Sequence, residues 1–126
     1  MKAIDTINKA LDMLSKGDFE NFETLLAENM YFKMSGNTSL SGEAFSKNEF
    51  LETVGNVMAL LDGPIKLNVK EVIDGGDWVV SIADGEATTL LGEPYNNEYC
   101  HVWKVKDGLI VELREFLDTA MLRDIC

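Results

Sequence analysis

The first part of the chain repeats apolar residues every three or four positions, which is the period of one helix face. The apolar face of the first predicted helix consists of Ile4, Ile7, Ala10, Leu11 and Leu14. Gly17 ends this helix, and Asp18 is placed to cap a second one. The apolar side of the second helix is predicted to be Phe19, Phe22, Leu25 and Leu26.

A third helix is predicted after a short strand at residues 31–34 and a polar loop at residues 35–42. Ser46 followed by Glu49 forms a capping box at its start, and Gly63-Pro64 stops it. Its apolar stripe is Phe50, Leu51, Val54, Val57, Met58 and Leu61.

From residue 65 onward the pattern changes to runs rich in β-branched and aromatic residues, which is typical of strands. Four strands are predicted, over residues 65–74, 78–91, 95–106 and 109–117. The last two are joined by Asp107-Gly108, a strong signal for a β-hairpin, and a short helix is predicted over 119–126. The order of elements predicts a single α+β domain, residues 1–126, in which a curved antiparallel sheet has one face covered by three N-terminal helices.

The composition narrows the classes of partner. The chain has 126 residues and a formal net charge of −11, with no basic cluster, which argues against nucleic acid or an anionic membrane as a partner. No apolar run is long enough to span a membrane, and the N-terminus lacks a signal-peptide core. Two cysteines, Cys100 and Cys126, are too few to staple the domain, and no Cys/His spacing suits a metal. We therefore expect a cytoplasmic protein that needs no metal or cofactor.

The hairpin contains the chain's only histidine. Because strand side chains alternate between faces, we expect His101 to share a face with Asn97, Tyr99, Trp103 and Val105. On the following strand, Glu115 is expected to share a face with Val111, Leu113 and Leu117. A charged residue in an apolar row is costly to bury unless it is paired, so His101 and Glu115 would relieve each other if both point inward.

Several groups of residues resemble a known family. They are Gly17-Asp18, Leu40-Ser41-Gly42, the run from Gly92 through Pro94-Tyr95 to Asn97, His101-Val102-Trp103, and Asp107-Gly108 through Arg114 to Asp118. Together they resemble the SnoaL-like, or ketosteroid-isomerase-like, branch of the nuclear-transport-factor-2-like superfamily. The resemblance implies a cone-shaped sheet with an apolar pocket at one end, and a homodimer formed through the outer sheet face. The superfamily includes cyclases, isomerases, dehydratases, epoxide hydrolases and non-catalytic members, so it does not specify a reaction.

The resemblance also implies roles for particular residues. His101 and Glu115 match a histidine and an acid/base carboxylate of SnoaL-like polyketide cyclases, with Glu here instead of Asp. Asp84 resembles the acid of limonene-epoxide-hydrolase-like members, but Ile82 stands where that pattern has arginine. Phe32 and Met34 stand where that pattern has a tyrosine and an asparagine to hold the attacking water. Epoxide hydrolysis is therefore disfavoured, and Asp84-Gly85 has the alternative interpretation of a bulge or bend.

Steroid isomerisation is disfavoured for the same kind of reason. The catalytic aspartate of that activity would lie near Lys33, and its oxyanion tyrosine near Ala10. Neither position supplies the group.

These observations lead to a functional hypothesis with alternatives. We expect the protein to bind a small, largely apolar carbonyl or hydroxyl metabolite, with Glu115 as general base and His101 as acid or orienting partner in proton transfer. Asp84 and Tyr99 are secondary candidates for polar contacts. The predicted ligand-binding residues are Phe32, Met34, Phe50, Met58, Trp78, Tyr99 and Trp103.

Each of these residues also has a purely structural interpretation. His101 could be a hydrogen-bonded structural residue, Glu115 could form a salt bridge with an arginine or lysine, and the aromatic and methionine residues could simply be core. The alternatives to an enzyme are a non-catalytic binding protein and a dimeric structural module. Catalysis needs His101 and Glu115 to meet on a cavity wall. Binding needs only the cavity, and the structural module needs neither.

Overall fold

The computed structural model describes all residues from Met1 to Cys126. The elements in chain order are α1 (Ala3–Ser15), α2 (Phe19–Glu23), β1 (Leu26–Met34), β2 (Gly42–Ala44), α3 (Lys47–Met58), β3 (Lys66–Gly75), β4 (Trp78–Glu86), β5 (Glu98–Lys106), β6 (Leu109–Leu117) and α4 (Thr119–Ile125). The α+β fold class is confirmed: a curved, unclosed six-stranded sheet packs against the helices.

The helix ends follow from the capping residues in the sequence. Gly17, with a φ of +72°, lets the chain turn out of α1, and Asp18 caps α2 by accepting a hydrogen bond from the Asn21 backbone N–H at 3.2 Å. At α3, the Ser46 hydroxyl accepts from the Glu49 N–H at 3.1 Å. The Glu49 carboxylate accepts from the N–H of Phe45, one residue before the cap, at 2.9 Å. These contacts fix where the two helices begin.

The strands are arranged in the order β2-β1-β6-β5-β4-β3. Strands β3 to β6 form the predicted antiparallel meander, and β1 pairs antiparallel with β2. The pair β1–β6 is parallel. The sheet is therefore antiparallel except at this one junction, where the N-terminal strand joins the C-terminal hairpin.

Several predicted boundaries differ from the structure around β1. The second helix ends at Glu23, and the chain is extended from Leu26, so the strand is longer than the predicted 31–34. Leu26 is nevertheless buried in the core, as predicted. It reaches the core from a strand and not from a helix, because it pairs with the buried Ile110 of β6. The predicted polar loop ends in β2, whose three residues pair with the end of β1.

The loop between β4 and β5 is longer than predicted, because β4 ends at Glu86 and β5 begins at Glu98. Isolated bridges join Thr88 to Pro94 and Leu61 to Thr89, so this loop is attached to the end of α3. Its last residues carry Tyr95 into the core, where the side chain is 1% exposed.

A bulge in β6 changes one predicted facing. Lys104 pairs with Glu112 while Val105 pairs with Ile110, which leaves Val111 as the extra residue. Ile110 is fully buried in the inward place that simple alternation gives to Val111. After the bulge the alternation continues as predicted, with Leu113 inward and Glu115 two positions later on the same face.

The core lies between the concave face of the sheet and the helices. Its largest fully buried side chains include Trp103, Tyr95 and Met30. None of the helices combines the length and the apolar character that a membrane crossing would require.

Candidate functional site

A cavity of about 140 Å³ lies between the concave face of the sheet and the helices. Its lining comes from every helix and from strands β1, β3, β5 and β6, and from two residues in loops. The lining residues are Leu14, Phe19, Phe22, Phe32, Met34, Phe50, Val54, Val57, Met58, Ile65, Leu67, Tyr95, Tyr99, His101, Trp103, Leu113, Glu115, Leu117 and Leu122. The cavity is therefore apolar, except for a group of polar side chains on β5, β6 and the loop before β5.

His101 and Glu115 meet on this cavity wall. They lie directly opposite each other on β5 and β6, and His101 Nε2 is 2.7 Å from Glu115 Oε2. The His101 side chain is 9% exposed and that of Glu115 is 18% exposed. The imidazole is held between two aromatic rings of its own strand, stacked on Tyr99 at 5.5 Å and tilted against Trp103 at 5.6 Å. The pair is thus rigid and largely removed from water.

The other nitrogen of His101 settles the direction of this hydrogen bond. Nδ1 is buried and has no hydrogen-bond partner. In a neutral imidazole, a proton on Nδ1 would be a buried N–H without an acceptor, which costs on the order of 1–3 kcal/mol. The proton of the neutral form therefore lies on Nε2, which donates to Glu115 Oε2. Glu115 Oε1 makes no hydrogen bond to the protein.

Two tyrosines complete the polar part of the lining. Burial raises the pKa of the Tyr99 phenol far above its usual value, and the neighbouring Tyr95 and Glu115 add to the effect. Burial likewise raises the pKa of Tyr95, although a hydrogen bond from Asn97 Nδ2 to its hydroxyl, 3.0 Å long, opposes the shift. Both phenols therefore stay protonated at neutral pH.

The structure brings together most of the predicted site residues. His101, Glu115 and Tyr99 line the cavity with Phe32, Met34, Phe50, Met58 and Trp103. The indole N–H of Trp103 is not free to bind a ligand, because Nε1–H donates a hydrogen bond to the Ser81 hydroxyl at 2.8 Å. The side chains of Trp103 and Ser81 are both buried, so this bond fixes the indole as part of the wall.

Asp84 and Trp78 lie elsewhere, on the convex face. Inward positions of β4 are taken by Val79, Ser81 and Ala83, so the residues between them point outward. The Asp84 carboxylate pairs with Lys70 Nζ at 3.1 Å and is 46% exposed, and the Lys104 ammonium lies 5.3 Å from the centre of the Trp78 ring. Neither residue can touch a ligand in the cavity.

Gly85 does not form the bend that was considered for Asp84-Gly85. The strand continues through it, paired with Leu67 of β3. A Cβ at this position would lie 2.6 Å from Tyr99 Cε2 and 3.1 Å from Ile65 Cγ2. Because Gly85 has no side chain, the Tyr99 ring can occupy the space where a Cβ would otherwise lie.

Tyr95 and Asn97 are the polar residues of the site that the sequence interpretation did not assign a function. Tyr95 lies in the cavity wall, and Asn97 lies behind it with 1% exposure. The alternation that linked Asn97, Tyr99 and His101 extends back by two residues to Tyr95, so the signal was present in the sequence. The lining residues from α1 and α2 gave no such signal, since an apolar helix stripe is the same for a cavity as for a filled core.

No group of three or more His, Cys, Asp or Glu side chains is arranged to hold a metal ion. Cys100 and Cys126 are both free thiols. Cys100 lies between Tyr99 and His101 and so points to the opposite face of the sheet, away from the imidazole. The chemical groups of the site are thus the carboxylate, the imidazole and the two phenols.

Comparisons with known proteins agree with this architecture. Residues 7–113 match the family described as the SnoaL-like domain. A protein of unknown function with a cystatin-like fold from Xanthomonas campestris superposes with a TM-score of 0.89 at 20% identity, covering 99% of this chain and 98% of that one. An NTF2-like protein from Burkholderia thailandensis superposes with a TM-score of 0.87 at 17% identity, covering 99% and 97%.

TerC, whose structure was determined after co-crystallisation with polyporic acid, superposes with a TM-score of 0.84 at 22% identity, covering 98% of this chain and 96% of that one. No curated protein matches the chain. The family match spans most of the sequence, and the structural neighbours share the fold. The chain therefore belongs to the SnoaL-like domain family, and it shares the fold of these NTF2-like and cystatin-like structures.

Proposed function

We propose that the protein binds a small, mostly apolar carbonyl compound and catalyses proton transfer at the carbon next to the carbonyl. The observation that carries the proposal is the hydrogen bond of 2.7 Å between His101 and Glu115 on the wall of an apolar cavity. A carboxylate that acts as a general base on carbon must lie within reach of the substrate and be shielded from water. Glu115 lines the cavity, and its side chain is only 18% exposed.

In this mechanism the two carboxylate oxygens of Glu115 have separate tasks. Oε2 accepts the hydrogen bond from His101, which holds the carboxylate plane in one orientation. Oε1 has no protein partner and takes the proton from the substrate carbon. The electron pair of the broken C–H bond forms the C=C bond of the enolate as the carbonyl π pair moves to oxygen. In an isomerisation the proton returns from Oε1 to another carbon. In an exchange the proton on Oε1 is first replaced by a deuteron from solvent, and that deuteron is delivered to the same carbon.

His101 acts as a positioning residue in this proposal, and not as the acid. Its Nε2 proton is committed to Glu115, and its Nδ1 lies buried without access to a ligand atom. Of the two roles expected from the sequence, orienting partner is the one that its surroundings support.

The test is the exchange of substrate protons for deuterium. We expect the native protein to accelerate α-proton exchange in six-membered cyclic ketones, followed by proton NMR in D2O, with 2-cyclohexenone as the first probe. Glu115→Gln should lower this acceleration by at least about 100-fold, since general base catalysis contributes roughly 10²–10⁴-fold. The matched control is Glu112→Gln, because Glu112 lies on the same strand with a hydrogen bond of the same length, 2.7 Å, to Arg114 outside the cavity. Equal exchange rates in the two variants would refute the role of Glu115.

A second candidate function is binding without turnover. It is favoured by the fact that Glu115 already has a partner, because a carboxylate held by His101 can serve as a fixed acceptor for a ligand hydroxyl. The same assay separates the two: a native protein that binds the ketone without accelerating exchange would be a binding protein.

We also propose that a second copy of the chain covers the outer face of the sheet. Ile82, Cys100 and Phe116 lie side by side across β4, β5 and β6, and Ile82 and Phe116 are 38% and 47% exposed. Two of the charged residues on this face are already paired, Arg114 with Glu112 and Asp84 with Lys70, which lowers the cost of covering them. An apolar patch of this kind is self-complementary in a twofold dimer.

A further inference from the structure

We propose that the hydroxyls of Tyr95 and Tyr99 bind the oxygen atom of the ligand and orient its neighbouring carbon towards Glu115. This inference rests on the proposed function, because it concerns the same cavity, and it assigns the oxygen subsite and the class of ligand.

The cavity wall contains few hydrogen-bond donors. The lining includes no Lys, Arg, Ser, Thr, Asn or Gln. The Trp103 Nε1–H is used by Ser81, and the His101 Nε2–H by Glu115. Glu115 has no hydrogen-bond donor when it is ionised. Apart from the two tyrosines, the remaining lining side chains are hydrocarbons or thioethers. The phenols are therefore the only donors in the wall that a ligand oxygen can meet.

The Tyr95 hydroxyl is held in place by Asn97, which lies behind the cavity wall. Asn97 Nδ2 donates to the Tyr95 hydroxyl at 3.0 Å and to the Asp118 carbonyl at 3.1 Å. Asn97 Oδ1 accepts from the backbone N–H groups of Glu98 and Asp118, at 2.7 and 2.9 Å. All four hydrogen-bonding positions of this amide are satisfied, so its orientation is fixed. Because the Tyr95 oxygen accepts from Asn97, its own proton remains available to donate.

The sheet leaves space for the Tyr99 ring in one position. A Cβ on Gly85 would lie 2.6 Å from Cε2 of this ring, and the ring also stacks on His101 with 5.5 Å between the ring centroids. Tyr95, Tyr99 and Glu115 line the same cavity. A ligand oxygen at the phenols thus places the rest of the ligand beside the carboxylate.

The chemistry of the wall defines the class of ligand. A carboxylate or phosphate group in the cavity would face Glu115 without any cationic side chain to offset the repulsion. A neutral ketone or enol has an oxygen that accepts from the phenols and no charge to bury. The enclosed part of the ligand is about one six-membered ring, since an apolar cavity of about 150 Å³ holds benzene.

The test compares ligands that differ only in the oxygen. The probes are 2-cyclohexenone and cyclohexene, with dissociation constants measured by NMR titration of the native protein, Tyr95→Phe and Tyr99→Phe. We expect the native protein to prefer the ketone, and the more sensitive of the two variants to bind it about tenfold more weakly. Cyclohexene affinity should stay unchanged in both, which shows that the cavity is intact. Cyclohexanecarboxylate should bind more weakly than either probe.

The infrared carbonyl stretch of bound 2-cyclohexenone gives a second readout that needs no variant. Hydrogen bonds from the phenols should move it below its frequency in hexane. The proposal is overturned if the native protein shows no preference for the ketone over cyclohexene, if the stretch matches that in hexane, or if the carboxylate binds best. It is also overturned if both variants keep the native ketone affinity, or if they lose affinity for both ketone and cyclohexene.

These outcomes are separate from those of the proposed reaction. Ketone binding that depends on the tyrosines, without acceleration of proton exchange, would refute catalysis by Glu115 and leave the oxygen subsite standing. If proton exchange still depends on Glu115 and stays at the native rate in both Tyr95→Phe and Tyr99→Phe, catalysis by Glu115 would stand and the oxygen subsite would be refuted.

Discussion

Replacing Gly85 with alanine tests whether the site is built around the Tyr99 ring. The added Cβ would lie 2.6 Å from Tyr99 Cε2, so the ring must retreat by about 0.8 Å to reach ordinary contact. It cannot do so freely, because His101 stacks on it and Ile65 Cγ2 lies 3.1 Å from the same Cβ. We therefore expect Gly85→Ala to weaken both stability and ketone binding.

The expected magnitude combines two opposing effects. Inserting a methyl group into a packed core costs about 1–3 kcal/mol, whereas replacing glycine by alanine restricts the unfolded chain and returns about 0.4–1 kcal/mol. The net change is a loss of about 1–2 kcal/mol in the free energy of unfolding. For a chain of 126 residues this lowers the melting temperature by about 4–8 °C.

The assay is urea unfolding followed by tryptophan fluorescence, with Gly55→Ala as the matched control. Gly55 lies within α3 and is exposed, and a Cβ added there would meet no other atom within 4 Å. The same substitution there should raise the stability, by about 1 kcal/mol, because alanine favours the helix. The two variants should thus move in opposite directions. A Gly85→Ala protein as stable as the native one, with unchanged affinity for 2-cyclohexenone, would refute the claim that this glycine makes room for Tyr99.

Two further predictions concern pH and assembly. Because the buried phenols have raised pKa values, the folded protein holds more protons than the unfolded chain above about pH 10, so its stability should be full below that pH and fall as pH rises. Urea unfolding between pH 8 and 11 should show this fall, and the free energy of unfolding should fall less steeply with pH in Tyr99→Phe than in the native protein. Equal slopes in the two proteins would contradict the raised pKa of Tyr99. Val102 lies in the centre of the outer sheet face, paired with Val80 and Arg114, so Val102→Glu should halve the sedimenting mass of the protein. An unchanged mass would contradict the proposed dimer.

The sequence predicted the parts of the fold that depend on local patterns. The stripe of α1, the caps at Asp18 and Ser46, and the turn at Asp107-Gly108 are confirmed, because each is determined by residues within a few positions. The pairing of His101 with Glu115 followed from the same hairpin, whose register places the two residues opposite each other.

Features that depend on distant contacts were not predicted. The parallel pairing of β1 with β6 joins residues more than seventy positions apart, and no local pattern indicates it. The bulge at Val111 exchanged one inward residue for another that is equally apolar, so hydropathy does not distinguish them. Trp78 is the opposite case: alternation with the buried Val79 places it on the outer face, and its aromatic character alone suggested the pocket.

Gly85 shows why a site can be only partly visible in a sequence. A glycine in a strand indicates a bend, a bulge or a close approach, and the sequence does not say which. The structure shows a close approach, by a ring fourteen residues away in the next strand. The same holds for Asn97, whose hydrogen bonds to Asp118 join the residue before β5 to the residue after β6, twenty-one positions apart.

The most direct test of the central claim is the crystal structure of the protein with 2-cyclohexenone bound. We expect the ligand ring to occupy the apolar cavity, with its oxygen within hydrogen-bond distance of a tyrosine hydroxyl and a proton-bearing carbon about 3–3.5 Å from Glu115 Oε1. His101 should keep its bond to Oε2. A ketone that binds outside the cavity, or with its oxygen against the aliphatic wall and its acidic carbons out of reach of Glu115, would contradict the account.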